Sequence, residues 1–205
     1  QFLEDILAAK LQARHVVDGQ NFRYGIRSAG TGEYMSDRGG QLGFEAVGMP
    51  MVEVNAEPAR STRVRQALQD GDVELAGKLL GRPFAITGVV TRGAQRGTQM
   101  GFPTANVATY YELIPKVGVY AARVHGEMKG HPAVVNIGRA PTFNRGDLTV
   151  EVHLIDFPAR PLYGKVMEVE ILHRIRDEQK FDGMDALGQQ IQRDIERAQT
   201  LLASQ

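Results

Sequence analysis

The sequence predicts a mixed fold, in which an α/β segment precedes a small antiparallel β-barrel or sandwich that ends in a helix. Two observations carry this expectation. Apolar residues recur at helical spacing through much of the first 80 residues, whereas from Phe84 onward they recur at every second position. The change of period falls at Gly81, Arg82 and Pro83, a helix-ending and turn-starting cluster. This divides the chain into residues 1–80 and 81–205.

In the first part Phe2, Leu3, Ile6, Leu7 and Leu11 mark a helix. Residues 14–18 (RHVVD) form a short apolar run suited to a buried strand, and 19–25 (GQNFRYG) a glycine-bounded loop. Residues 31–42 are weakly helical, and 44–49 and 51–54 are strand material on either side of Pro50. Alternating helix and strand implies parallel pairing. The chain opens on QFLEDILAAKL, a helix already under way, so the expectation is a fragment holding only about half of such a sheet. At 59–65 (ARSTRVR), Ser61 or Thr62 is expected to cap a helix that carries Arg63 and Arg65. Hydroxyls and arginines at a helix N-terminus suit phosphate, although a plain capped surface helix is the better account of this motif taken alone. Residues 72–80 read as one more short helix.

In the second part Phe84, Ile86, Gly88 and Val90 share one strand face. Further strands are expected at 117–125, 132–137, 148–156 and 165–172, with turns at 126–130, 145–147 and 157–161. With a strand through Thr104 this makes about six, the pattern of a small antiparallel barrel or sandwich. Residues 177–202 are expected to form the closing helix, with Asp182 as its N-cap and Leu187, Ile191, Ile195, Ala198 and Leu202 as the stripe that packs on the barrel.

Composition narrows the function. Lys plus Arg equals Asp plus Glu, 24 against 24, which argues against nucleic acid as the main partner. Absence of cysteine excludes disulfides, thiolate zinc sites and cysteine nucleophiles, and it suits a cytoplasmic protein. No apolar run approaches the ~20 residues that span a bilayer, so no membrane partner is expected. There is no GxxxxGK[ST] loop, HRD or DFG, so neither P-loop nor protein-kinase machinery is present.

The chemistry concentrates at 96–106 (RGTQMGFPTAN). Gly97 and Gly101 permit unusual backbone and close ligand approach, whereas Pro103 stiffens the chain and extends Phe102 before it. If the chain continues extended, Thr104 and Asn106 point to one side. Their oxygens suit Mg²⁺, and the N–H groups of a glycine loop suit phosphate. Glu151 and His153 share a strand face, either as part of a site or as its solvated side.

The run GFPTAN at 101–106 closely resembles the signature of riboflavin kinases. So do NIGRAPTF (136–143), GVYA (118–121) after Pro115, EVHLIDF (151–157), LYG (162–164) and IRDEQKF (175–181), covering 81 to about 202. GQNFRYG and STRVR resemble the GxDFRFG-type loop and the SSTRIR segment of the flavin adenylyltransferase domain in bacterial bifunctional riboflavin kinase/FAD synthetases, with Arg60 at a usual serine position. The resemblance implies a six-stranded antiparallel barrel with a C-terminal helix, preceded by a partial Rossmann-like nucleotidyltransferase segment. It implies phosphorylation of the riboflavin 5′-hydroxyl by ATP with Mg²⁺, giving FMN, with small molecules as partners.

By the same resemblance Thr104 and Asn106 contact Mg²⁺ and the ATP phosphates, and Glu151 is the catalytic base. Gly97, Gly101, Phe102 and Pro103 form the nucleotide-side loop, and Arg176 and Phe181 lie near the flavin. Asn21, Phe22, Arg23, Ser61, Thr62 and Arg65 belong to the adenylyltransferase. The HxGH-type motif of that domain does not occur in these residues, so adenylyl transfer by this chain is not expected. Thr98 departs from the family's frequent second basic residue. The competing expectation is a non-catalytic barrel that binds flavin or nucleotide, which would not need Thr104, Asn106 and Glu151 together.

Overall fold

The computed structural model describes residues 1–93, 97, 100–139, 148–158 and 160–203, in two compact units, Gln1–Ala59 and Arg60–Gln205. The first unit opens with a helix, Phe2–Lys10, closed by a bond of 2.9 Å from Leu11 N to Ile6 O, five residues back. Its Leu3 and Leu7 pack with Met35 and Phe44 in a small core. Strands β1 (His15–Gly19) and β2 (Glu45–Met49) pair in parallel, with α1 (Gly32–Leu42) between them in the chain. Thr31 Oγ1 accepts from Tyr34 N at 3.1 Å and caps α1, and Gly43, at φ 84°, ends it.

The expected strand over 51–54 shrinks to Glu53–Val54, paired with Glu57–Pro58. Asn55 and Ala56, at φ 56° and 59°, turn the chain back on itself. Successive positive φ values are those of a tight two-residue hairpin, so local turn geometry prevails over continued strand.

In the second unit α2 (Ser61–Asp70) begins after an extended Arg60, whose carbonyl accepts from Val64 N at 3.1 Å. Arg60 is therefore the N-cap, and it makes no side-chain capping bond. This corrects the expectation for Ser61 and Thr62, which lie in the first turn itself. Asp72 caps α3 (Val73–Leu80) by accepting from Leu75 N at 2.9 Å.

The barrel strands are β3 (Phe84–Thr91), β4 (Ala105–Ala108), β5 (Gly118–Val124), β6 (His131–Arg139), β7 (Leu148–Leu154) and β8 (Val166–Arg176). They close in the order β6-β7-β4-β3-β8-β5, with every pair antiparallel. Closure removes the sheet edges and leaves one set of alternate residues inside. Ile86, Val90, Val107, Tyr120, Val135, Ile137, Val150, Val152, Met167 and Val169 fill the interior. Leu68, Val73 and Ala76 belong to the same core, so α2 and α3 pack into the barrel, and Lys116 N donates to Leu68 O at 2.9 Å.

The closing helix, α4 (Met184–Ala203), starts later than the expected residue 177. Arg176 Nη1 takes the carbonyl of Asp177 at 2.9 Å and Arg174 Nη2 takes its carboxylate at 2.8 Å, so the chain after β8 is tied down as a strap. Leu187 N bonds to Gly183 O, which leaves Asp182 outside the first turn. The apolar stripe behaves as expected. Ile195, Ala198 and Leu202 are buried with Val119, Ala121, Val134 and Ile155 on the outer wall. Fully burying each large aliphatic is worth about 1.5–3 kcal/mol.

Gly88 marks the tightest strand approach. A Cβ there would lie 2.3 Å from Ala108 O and 2.6 Å from Val107 Cγ1. Gly88→Ala must push β4 away from β3, at a cost of about 1–3 kcal/mol. Denaturant unfolding of this variant is expected to show a lowered midpoint at unchanged slope, and a wild-type midpoint would refute the packing described.

Candidate active site

The site is built by strand register. Asn106 on β4 stands opposite Glu151 on β7, and Glu151 stands opposite Asn136 on β6. On the other side Asn106 pairs with Thr91 on β3. The neighbours Ala105, Val107, Val150, Val152, Val135 and Ile137 all face the core, so this polar row lies on the outer wall. Directly opposed Cβ atoms are about 4.5–5.5 Å apart, which brings amide, carboxylate and amide within one ligand's reach. Asn106 and Glu151 were expected here from the sequence. Asn136 was not singled out, although it opens the NIGRAPTF run and is a polar residue in the otherwise apolar strand PAVVNI.

The glycine turn meets the row from the β3–β4 side. Met100 N and Phe102 N both donate to Gly97 O, at 3.1 and 2.9 Å. A Cβ on Gly97 would lie 2.3 Å from Phe102 O, and one on Gly93 would lie 2.0 Å from Asn106 Nδ2. A Cβ at Gly97 would meet fixed backbone, whereas one at Gly93 would displace the Asn106 amide. Gly101 sits at φ 84°, the left-handed region that glycine adopts freely. Arg96, Thr98 and residues 140–143 of the NIGRAPTF run lie outside the described residues.

His153 holds the segment after this turn. It shares the face of Glu151, and its Nδ1 lies 2.9 Å from Pro103 O, as the donor in that contact. Its ring meets Phe102 edge-on at 5.9 Å, and Phe102 packs against the cluster beneath α4. The ladder between β4 and β7 ends at Val152–Ala105, and the His153 bond continues the link beyond it. Thr104, two residues before Asn106, is half-buried beside this contact.

On the other side of Glu151 the wall opens at Gly138. A Cβ there would lie 3.0 Å from Glu178 Oε1, 3.4 Å from Asn136 Nδ2 and 3.7 Å from Thr149 Oγ1. The strap thus brings a carboxylate over β6 next to Asn136. Arg176 is engaged elsewhere. Its Nε and Nη2 grip Asp194 at 2.7–3.1 Å, and its guanidinium lies 5.8 Å from the centre of the Phe181 ring. Asn21, Phe22 and Arg23 are exposed in the first unit, where Phe22 stacks on Tyr24 at 5.9 Å. Ser61, Thr62 and Arg65 lie in the first turns of α2, in the second unit.

Thr104, Asn106 and Glu151 offer hydroxyl, amide and carboxylate oxygens, a hard-donor set that fits Mg²⁺ and not a soft metal. Among the described residues no group of three or more His, Cys, Asp or Glu side chains could hold a metal.

Fold and site together define a closed six-stranded antiparallel barrel with a polar row on its outer wall, reached from a glycine turn. The chain belongs to the riboflavin kinase family, whose model matches residues 80–202. The FAD synthetase family model matches residues 1–63. Bifunctional riboflavin kinase/FMN adenylyltransferases are similar over nearly the whole chain. That of Haemophilus influenzae is 35% identical over 99% of this chain, and that of Bacillus subtilis 41% identical over 97%. The chain spans 66% and 63% of these two relatives. A solved structure described as a macrolide-efflux protein from Streptococcus pneumoniae is 35% identical, with a TM-score of 0.79 over 88% of this chain and 58% of that one. Among the described residues no helix is long and apolar enough to cross a membrane.

The strap has an acid-sensitive tie. The hydrogen bond from Arg174, with the charges of Arg174 and Lys116, holds the Asp177 carboxyl below its ordinary 3.8. A carboxyl whose pKa is lowered on folding contributes stability that is present above the unfolded value and is lost as pH falls through the folded one. Asp177→Asn lacks this contribution. Unfolding midpoints of variant and wild type are therefore expected to converge as pH drops below about 3.8. A gap that stays constant into acid would show the tie to be silent.

Proposed function

We infer that the chain phosphorylates the 5′-hydroxyl of riboflavin with ATP and Mg²⁺, giving FMN. The observation that carries this reading is the opposition of Glu151 to Asn106 across β7 and β4, which sets a carboxylate beside oxygen donors and a glycine turn. Phosphoryl transfer asks the protein mainly for position and charge. Thr104 and Asn106 hold the metal and phosphate side. Bound Mg²⁺ supplies neutralisation of charge on the β- and γ-phosphates. Glu151 accepts the hydroxyl proton as the new O–P bond forms and the bond from the γ-phosphorus to ADP breaks.

His153 acts one step back, since its bond to Pro103 O orients the residues just before Thr104. In this reading residues 81–205 form the kinase domain and residues 1–80 the adenylyltransferase segment, whose Asn21, Phe22, Arg23, Ser61, Thr62 and Arg65 the kinase step does not use. The partners are small molecules and the compartment is the cytoplasm, in keeping with the lack of cysteine.

A product assay with riboflavin, ATP and Mg²⁺ that separates FMN from FAD tests this directly. FMN is the expected product, and the absence of both products from a folded sample would overturn the reading. Glu151→Gln is expected to keep ATP binding and lose about 10²–10⁴-fold in kcat. Parallel loss of binding would instead place Glu151 in the nucleotide site or the fold. Thr104→Ala is expected to raise the KM for Mg·ATP and the Mg²⁺ concentration needed for half-maximal rate. An unchanged Mg²⁺ response would remove Thr104 from the metal side.

A further inference from the structure

The terminal helix carries one charge on its apolar seam. Asp194 lies three residues after Ile191 and four before Ala198, on the face that packs against the barrel, and is only 3% exposed. An unpaired carboxylate there would cost several kcal/mol. Both its oxygens are engaged instead. Arg176 Nε reaches Oδ1 and Oδ2 at 2.9 and 3.1 Å, Nη2 reaches Oδ2 at 2.7 Å, and Gln190 Nε2 reaches Oδ1 at 2.9 Å. A well-packed apolar pair could join helix to barrel as firmly. What the ion pair adds is direction. With its fork fixed on Asp194, Arg176 also binds the carbonyl of Asp177 through Nη1 and lies over the ring of Phe181. Both ends of segment 177–181 are thereby tied to one guanidinium. Glu178, between them, sets its Oε1 over Gly138, 3.0 Å from where a Cβ would stand, with Asn136 Nδ2 3.4 Å from the same point.

We propose that Asp194, acting through Arg176, is a positioning residue that sets the acceptor-alcohol side of the site by fixing Glu178 beside Asn136. The proposal rests on the kinase reading. In an in-line transfer the attacking and leaving oxygens lie on opposite sides of the phosphorus. The donor side is the β3–β4 side of Glu151, with Thr104, Asn106 and the glycine turn. The acceptor therefore approaches from the β6 side, where Asn136, Gly138 and Glu178 stand. Asp194 touches neither substrate. Its loss frees the strap on the acceptor side and leaves the nucleotide side intact.

The test compares Asp194→Asn and the paired replacement Arg176→Met with Asp194→Leu, which removes the clamp but leaves no buried charge. Thermal unfolding identifies the folded variants. In those, the KM for riboflavin is expected to rise about 10–100-fold, since a misplacement of about 1 Å can cost about 10²-fold. The KM for Mg·ATP is expected to stay within about twofold, because uniform loss of ground-state binding moves one KM alone. Riboflavin binding without nucleotide, read from flavin fluorescence, is expected to weaken in parallel. If the folded paired variant keeps wild-type riboflavin KM and affinity, the proposal fails while the kinase reading stands. Equal change in both KM values would reduce the clamp to plain stability and also overturn it. Wild-type chain that neither binds nor phosphorylates riboflavin would remove the kinase reading and this proposal together.

Discussion

Everything at the site depends on the register of β7 between β4 and β6. Side chains alternate across a strand, so a slip by one residue would carry Glu151 into the core and Val150 or Val152 out to solvent. The interior forbids that slip. Val150 and Val152 are buried among Ile137, Val135 and Val107, and a carboxylate in their place would be desolvated without a partner. Hydrophobic packing inside the barrel thus dictates the polar arrangement outside it. Closure strengthens the constraint, because β7 is gripped on both edges and has no free side along which to shift.

The terminal helix serves the same wall from outside. Ile195, Ala198 and Leu202 cover Val119, Ala121 and Val134, which removes an apolar surface that a bare barrel would expose. Burial is non-directional and says little about where the preceding strap should run. Direction comes from hydrogen bonds: Arg174 and Arg176 hold Asp177, and Arg176 reaches Asp194 on the helix itself. Irregular backbone between β8 and α4 is thereby fixed by polar contacts to the elements on both sides of it.

The glycine turn and the strap have contrasting physics. At Gly97 the absence of a side chain is a steric requirement, since Phe102 O fills the space where a Cβ would stand, and at Gly93 a Cβ would push the Asn106 amide out of its place. Immediately afterwards Pro103 and the His153 contact make the chain stiff. A backbone that bends freely is thus delivered at a defined point and angle to Thr104. The strap instead gains its order from charge, and the Asp177 tie weakens in acid whereas steric constraints at the glycines do not.

The barrel strands, the parallel pairing of β1 with β2, α1, and the helical stripe of α4 were legible because each rests on periodicity over several residues. The GFPTAN run stood out as a candidate site because glycine, proline and oxygen donors have separate mechanical uses that survive without tertiary context. Capping by Ser61 or Thr62, the helix from residue 177 and the full length of the strand over 51–54 differ in the structure, the first and last through local backbone geometry and the second through partners that only the fold supplies. Arg60 already provides the capping carbonyl to Val64, the two arginines of β8 claim Asp177, and Asn55 with Ala56 closes a local hairpin. Asn136 and Glu178 lie in the NIGRAPTF and IRDEQKF runs that carry the resemblance, without having been singled out there, and Asp194 left only a faint mark, as a single polar residue on an apolar stripe. Periodicity and residue chemistry by themselves determined which residues face in and which segment carries the glycines and oxygen donors. Tertiary structure alone decided which outward residues stand side by side, because cross-strand neighbours are set by register between segments far apart in the chain, 45 residues for Asn106 and Glu151 (151 − 106), and no local pattern encodes that pairing.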